Sequence, residues 1–144
     1  DKDYPFHFVY AGNGQHFFYN STTAYWMLGW KDESRIRQFI DRFASLGINR
    51  LRVTLNARQD GGTRWNEPQV QERADFTFKL TPWVAQRPDD LDNPGYDLTR
   101  FNLTHWQRYE RMLLYARQKG IQVSVIFYTD GQDHGCDPFK KKAG

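Results

Sequence analysis

The chain has little sulfur, with Cys136 as its single cysteine and two methionines among 144 residues. One cysteine excludes an internal disulfide and a zinc site built from several cysteines. No stretch approaches the roughly 18 consecutive apolar residues that a membrane-spanning helix needs. The first residues, Asp1 to Tyr4, do not form a signal peptide, so the compartment stays open. Secretion or the periplasm is favoured if a signal peptide was removed.

Neither positive nor negative residues clearly predominate in the chain. Twenty Lys and Arg face 17 Asp and Glu, and the net charge of +3 is spread along the chain. The one cationic run, Lys140-Lys141-Lys142, is typical of a solvated tail. We therefore expect neither a nucleic acid nor a membrane as partner.

Patterns that bind cofactors or metals are weak. Gly12-Asn13-Gly14 lacks the strand-to-helix setting of a phosphate-binding loop and is typical of a turn. Asp133, His134, Cys136 and Asp137 have no recognised metal-ligand spacing. The sequence thus predicts no cofactor and no metal.

Aromatic residues are abundant, at 17% of the chain. Five Trp, eight Tyr and eleven Phe exceed what a core of this size needs, although most of these rings are expected in the core. Some rings are therefore expected at the surface, where they can stack on flat or sugar-like ligands.

One pattern occurs twice: an amphipathic helix, a glycine, an isoleucine, a polar residue and a strand. The first copy runs from about Ser34 through Gly47-Ile48-Asn49 into a strand ending at Leu55. The second runs from about Thr104 through Gly120-Ile121-Gln122 into a strand ending at Tyr128. Repeated helix-to-strand units predict an α/β fold with a parallel sheet covered by helices. Chemistry in such folds gathers at the carboxyl ends of the strands.

The remaining elements follow from local patterns. Residues 6–10 and 15–19 predict a β-hairpin, and 20–23 a first strand of the main sheet. Asp32 is predicted to cap the first helix, and Thr104, with Gln107 as a capping box, the second. Residues 57–101 are predicted to be a long connection packed by its own aromatic residues. The expected buried stripes are Ile36, Phe39, Ile40, Phe43 and Leu46 in the first helix, and Trp106, Tyr109, Leu113 and Ala116 in the second.

Two segments carry a resemblance to a known family. Residues 17–26, which end in Thr23-Ala24-Tyr25-Trp26, and Gly47–Val53 resemble the start of (β/α)8-barrel glycoside hydrolases of the apiosidase-like or endoglucanase-like type. Ser21-Thr22 departs from that pattern, standing where the family has Gly-Asp. The resemblance implies an incomplete TIM barrel: strands 1–3 preceded by a small hairpin. It implies one domain, 1–144, with the hairpin in 1–19 and the barrel strands in 20–144.

The same resemblance implies a glycosidase that acts on an oligo- or polysaccharide. The family carries its acid/base and nucleophile glutamates on the fourth and seventh strands, beyond these three. The glutamates present (Glu33, Glu67, Glu72 and Glu110) are predicted to lie on helices or in the long connection. We therefore expect this portion to be inactive by itself.

Six residues are candidates for the site. By resemblance, Arg52 supports the nucleophilic carboxylate; an ordinary structural ion pair is the alternative. The other candidates for binding sugar lie at strand ends. They are Tyr25, Trp26, Asn56, Tyr128 and Asp130. Asp130 has an Asx-turn as its alternative role, Asn56 has loop capping, and at least one of the rings after the first strand is expected to pack against the neighbouring loop.

Two further functions stay open on these patterns. A small non-catalytic α/β module could bind carbohydrate through the aromatic-rich connection. A flavodoxin-like nucleotide binder ranks last, because no glycine-rich loop follows the first strand. An open half-barrel would also expose a sheet edge and a helix face, which predicts self-association.

Overall fold

The computed structural model describes residues 1–55, 73–90 and 94–127. Within these ranges a short 3-10 turn, Met27–Gly29, follows the third strand. The strands and helices, in chain order, are β1 Phe8–Val9, β2 His16–Phe17, β3 Ser21–Thr23, α1 Glu33–Ser45, β4 Arg50–Thr54, β5 Trp83–Ala85, β6 Tyr96–Phe101, α2 Leu103–Gln118 and β7 Gln122–Ile126.

The main sheet consists of β3, β4 and β7 in that spatial order, and both pairings are parallel. Thr23 pairs with Arg52, and Arg52 pairs with Ser124. The predicted parallel sheet is therefore confirmed. The pairing of Arg50 with Gln122 also shows that the two repeat copies are offset by one position after their glycines.

The predicted hairpin is confirmed as the antiparallel pair β1 and β2, in which Phe8 pairs with Phe17. Asn49, the polar residue of the first repeat copy, attaches this hairpin to the main sheet. Its side-chain oxygen accepts a hydrogen bond from the Asn20 amide at 3.0 Å, and its side-chain amide donates to the Phe18 carbonyl. The hairpin thus lies at the amino-terminal end of β3 and β4.

Helix α1 begins as predicted, because the Asp32 carboxylate accepts the Ser34 amide at 2.8 Å. Gly47, with φ of 71°, follows the helix in the left-handed conformation that glycine tolerates best. Ile36 and Ile40 are fully buried, but Phe39 and Leu46 are 39% and 54% exposed. The expected five-residue buried stripe is therefore wrong for those two residues, since they lie at the margin of the helix face that contacts the sheet.

Helix α2 differs from its prediction in two respects. It begins at Leu103 after Asn102, without a side-chain cap, so the capping box of Thr104 and Gln107 is not formed. Its buried residues are spaced by three and four positions, as one helix face requires. They are His105, Tyr109, Met112 and Ala116, whereas Leu113 is 37% exposed and Trp106 half-buried.

The connection 57–101 contains structure that its sequence did not predict. Strands β5 and β6 pair antiparallel, and Phe76 forms an isolated bridge with Trp30. Phe76 and Phe78 are buried, which confirms packing by the connection's own aromatic residues. Trp65, another aromatic residue of this connection, lies outside the described residues.

Both helices cover the same face of the main sheet. Leu51 and Val53 of the central strand, and Leu55 just after it, are buried against residues of α1 and α2 in one apolar cluster. The opposite face carries Arg50 and Arg52. Because the helices cover only one face, this arrangement differs from a doubly wound sheet, which has helices on both faces. Among the helices described, none is long and apolar enough to cross a membrane.

Candidate functional site

The face of the main sheet that the helices do not cover is polar over two rungs, and Thr54 and Ile126 pair beyond them. Because side chains alternate across a strand, residues that pair in register share a face in parallel strands. Two rungs of three residues each result. The first rung is Ser21, Arg50 and Gln122, and the second is Thr23, Arg52 and Ser124.

Arg50 is fixed on this face by two contacts. Its Nε donates a hydrogen bond to the Ser124 hydroxyl at 2.7 Å, across the neighbouring strand. Its guanidinium carbon lies 5.0 Å from the centroid of the Tyr19 ring, which is cation–π geometry. The guanidinium is therefore held by two contacts, and its hydrogen bond to Ser124 uses Nε and not the terminal nitrogens.

Arg52 and Tyr25, two predicted site residues, do lie together. The backbone continues the pairing past β3, since the Ala24 amide donates to the Arg52 carbonyl at 2.9 Å. The amide and hydroxyl of Thr54 both donate to the Tyr25 carbonyl. These bonds place the Tyr25 ring 5.8 Å from the exposed Arg52 guanidinium, at the carboxyl end of β3. The alternative of a structural ion pair for Arg52 is not found among the described residues.

Trp26 lies on the other side of the same strand end. Its ring meets Phe78 edge-on, with centroids 5.8 Å apart. Tyr25 and Trp26 both line a pocket of about 390 Å³ between the end of β3 and α1. The other lining residues are Thr23, Ala24, Met27, Trp30, Phe39, Phe43, Arg73 and Phe76. Tyr25 is thus the junction between a polar sheet face and an aromatic pocket.

The sequence did not identify Arg73 and Phe76 as part of this pocket. Arg73 lies 5.5 Å from the Trp30 ring centroid, and Arg35 lies 5.0 Å from it. Asp75 is within 3.7 Å of Arg35 and 3.5 Å of Arg73, so it partly neutralises this rim. The many aromatic residues of the connection predicted a packed segment. Only the bridge between Trp30 and Phe76 shows that this segment packs at the end of β3.

Two titratable groups are buried beneath the carboxyl end of the sheet. Burial, and then the charge of Arg108, lowers the pKa of His105 to about 4, while the nearby Leu55 backbone opposes that change. Burial raises the pKa of the Tyr109 hydroxyl far above its ordinary value of 10.0. Neither side chain has a hydrogen-bond partner in good geometry within the described ranges. Both groups are therefore neutral at pH 7.

The two glutamates in the described ranges lie on helices and not at the strand ends. Glu33 lies at the start of α1 and pairs with Arg108 and Arg111, and Glu110 lies on α2. The predicted placement of these two glutamates on helices is confirmed, while Glu67 and Glu72 lie outside the described residues. Within residues 1–55, 73–90 and 94–127, no group of three His, Cys, Asp or Glu is placed to hold a metal.

Three predicted site residues, Asn56, Tyr128 and Asp130, lie outside the described residues. The structure does describe the residues that precede Asn56 and Tyr128. Leu55, the residue after β4, is buried, and Phe127, the residue after β7, is 63% exposed. The binding roles of Asn56, Tyr128 and Asp130 stay predictions.

No protein-family model matches the chain, and no curated protein matches it by sequence. Among solved structures, the chain is similar to a candidate glycoside hydrolase from Bacteroides vulgatus, with a TM-score of 0.58 and 18% identity over 80% of this chain. Two others, a glycoside hydrolase and a family 5 glycoside hydrolase from Bacteroides vulgatus, have TM-scores of 0.45 and 0.44, with 13% and 14% identity over 79% of this chain.

The chain spans only about one fifth of the length of these structures, at 21%, 22% and 21%. The first of these similarities shows a shared fold. The predicted resemblance to part of a glycoside hydrolase is thereby confirmed at the level of the fold.

Proposed function

We propose that this chain is the amino-terminal portion of a (β/α)8-barrel glycoside hydrolase and forms one wall of its glycan-binding cleft. The polar face of the sheet would be the inside of the barrel, and the hairpin would lie below it. On this proposal the chain is one domain, 1–144, that carries the first three strands. Its ligand is an oligo- or polysaccharide.

One observation carries the proposal: the three parallel strands lie side by side in the order in which they occur along the chain, and two helices cover a single face of their sheet. A barrel has this construction, because its helices form only an outer ring and its inner face holds the functional side chains. The fold similarity to the Bacteroides vulgatus glycoside hydrolase candidate supports the same interpretation.

Catalysis in retaining glycosidases requires two carboxyl groups about 5–5.5 Å apart, one as nucleophile and one as acid/base. The rungs of the polar face carry no carboxylate. We therefore assign this portion to binding and orientation, and expect the catalytic pair to come from strands beyond it. Arg52 would orient one of those carboxylates by charge-assisted hydrogen bonds from one edge of its guanidinium, whose five N–H donors leave another edge for a ligand.

Sugar binding is assigned to the two rings that follow β3. Tyr25 and Trp26 are half-buried and line the pocket, so they offer faces on which the C–H groups of a pyranose can stack. Asn56, Tyr128 and Asp130 are proposed to add hydrogen bonds from the ends of the next two strands.

Binding and hydrolysis should be measured separately on the purified chain. Titration with neutral oligosaccharides such as cellohexaose and xylohexaose, followed by NMR chemical shifts, tests binding. Release of reducing sugar from the same oligosaccharides tests hydrolysis. We expect weak binding, no hydrolysis, and loss of binding in Trp26→Ala.

Leu114→Ala is a matched control, because Leu114 is 51% exposed on α2 and does not line the pocket. Binding that survives Trp26→Ala, or that is lost equally in Leu114→Ala, would contradict the assigned site. Hydrolysis by the chain alone would contradict the assignment of catalysis to missing strands. A stable monomer that binds glycans without hydrolysis would favour the non-catalytic module, since the half-barrel is proposed to self-associate at its open edges.

A further inference from the structure

Among the described residues, two guanidinium groups on the polar sheet face have no carboxylate partner. Across the described ranges, no acidic side chain forms an ion pair with Arg50 or Arg52. In contrast, Arg108 and Arg111 share Glu33. The polar face thus carries two positive charges, one on each rung, and no carboxylate within the part of the chain that the structure describes pairs with either of them.

The two arginines are arranged to act together. They are two positions apart on β4, so their Cα atoms are separated by about 6.5–7 Å and their side chains leave the same face. Arg50 is held by the Ser124 hydroxyl and the Tyr19 ring, and Arg52 by the Tyr25 ring. Holding a side chain in place before binding lowers the entropy that binding costs.

We infer that this face recognises carboxylate groups on the glycan, and that the substrate class is an acidic oligosaccharide containing uronic acid units. This inference rests on the proposed function, whose ligand it narrows. Guanidinium groups bind carboxylates through paired N–H···O hydrogen bonds, which are stronger than bonds between neutral groups.

The neighbouring side chains favour a sugar carboxylate over a simple anion. The Arg52 rung adds the hydroxyls of Thr23 and Ser124 on either side, and these can exchange hydrogen bonds with sugar hydroxyls. Tyr25 adds a ring at the strand end, above the same rung. A uronic acid presents a carboxylate, several hydroxyls and an apolar ring face within one unit, which matches all three features.

The test is a calorimetric titration of the chain with trigalacturonate and with its neutral counterpart, galactotriose, in 150 mM NaCl. Salt at this level screens attraction between distant exposed charges. We expect trigalacturonate to bind more tightly. Arg50→Gln and Arg52→Gln should each weaken it by about tenfold or more, as expected for hydrogen bonds to a charged group.

Arg117→Gln is the matched control, because it removes one positive charge from an exposed position on α2. It should leave the affinity for trigalacturonate unchanged. Equal weakening in Arg117→Gln, or equal binding of a short polyglutamate, would overturn the inference, since either result means unspecific attraction of anions. If galactotriose binds as tightly and depends on Trp26, the inference fails while the proposed function stands. If no oligosaccharide binds, both fail.

Discussion

The carboxylate of Glu33 accepts two hydrogen bonds from the guanidinium of Arg111, from Nε at 2.8 Å and from Nη2 at 2.6 Å. This pair connects the first turn of α1 to the middle of α2. Arg108 adds to the connection by donating to the carbonyls of Leu28, Trp30 and Lys31. The two helices and the segment that lines the pocket are therefore held together by polar contacts as well as by the apolar core.

Arg111→Gln should reduce the loss of thermal stability that occurs when the pH is lowered. The hydrogen bond from Arg111, followed by the charges of Arg111 and Arg108, lowers the pKa of Glu33 below its ordinary value of 4.5. A carboxyl group with a lowered folded-state pKa stabilises the fold above pH 4.5, and this contribution is lost as pH falls through the folded-state pKa. Thermal unfolding midpoints between pH 7 and pH 3 should fall less steeply in the variant. Arg117→Gln should keep the parent's slope, and an unchanged slope in Arg111→Gln would contradict the role of the pair.

His105 should produce a second pH dependence at higher pH. Its folded-state pKa of about 4 lies below its ordinary value of 6.5, so the unfolded chain binds the proton more readily between these values. The free energy of unfolding should therefore fall by a total of about 3 kcal/mol as the pH is lowered from 6.5 to 4.

His105→Leu should remove this dependence in urea unfolding at pH 7, 6 and 5, because leucine cannot take up a proton. His7→Gln, a change at an exposed histidine of the hairpin, should leave it intact. A parent protein with constant stability across this range would rule out a buried neutral His105.

Gly29→Ala should disturb the pocket. A Cβ at this position would lie 2.8 Å from the backbone oxygen of Thr77 and would overlap the Phe76 ring. The Thr77 amide donates to the Gly29 carbonyl at 2.8 Å, so the backbone cannot move away without losing a hydrogen bond. We expect a loss of about 1–3 kcal/mol in the free energy of unfolding, as for overpacked sites.

Chemical denaturation measures this loss, and Gly12→Ala is its control. Nothing lies within 4 Å of a Cβ at Gly12, so that variant should unfold like the parent. Equal stability of the two variants would show that residues 73–78 do not pack on the 3-10 turn as described.

Asn49→Ala should release the hairpin from the sheet. The Asn49 side chain bonds to the backbone at both Phe18 and Asn20, and its loss removes the acceptor of the part-buried Asn20 amide and the donor to the exposed Phe18 carbonyl. The expected cost is about 1–3 kcal/mol, together with faster proteolysis in residues 1–19. Gln122→Ala tests the equivalent position of the second repeat copy, where no side-chain hydrogen bond is formed among the described residues. Equal protease sensitivity of the two variants would contradict the attachment.

The sequence predicted those features that depend on neighbours along the chain. The Asp32 cap, the glycine at position 47 and the alternation of Leu51, Val53 and Leu55 all follow from local conformational preference and periodicity. The repeated helix-glycine-isoleucine pattern predicted the parallel sheet for the same reason. The capping box at Thr104 was wrong because Thr104 is already the second residue of α2, and Asn102 occupies the N-cap position.

The tertiary structure decided what is brought together from distant positions. Leu113 and Phe39 were expected to be buried but are partly exposed. The apolar character of a residue does not show which side of a helix packs against the sheet. Arg52 was predicted as a site residue, whereas its contact with Tyr25 depends on the pairing of β3 with β4. The approach of Phe76 to Trp30 likewise joins residues 46 positions apart. Such contacts are set by strand register and packing between layers, which local sequence preferences do not specify.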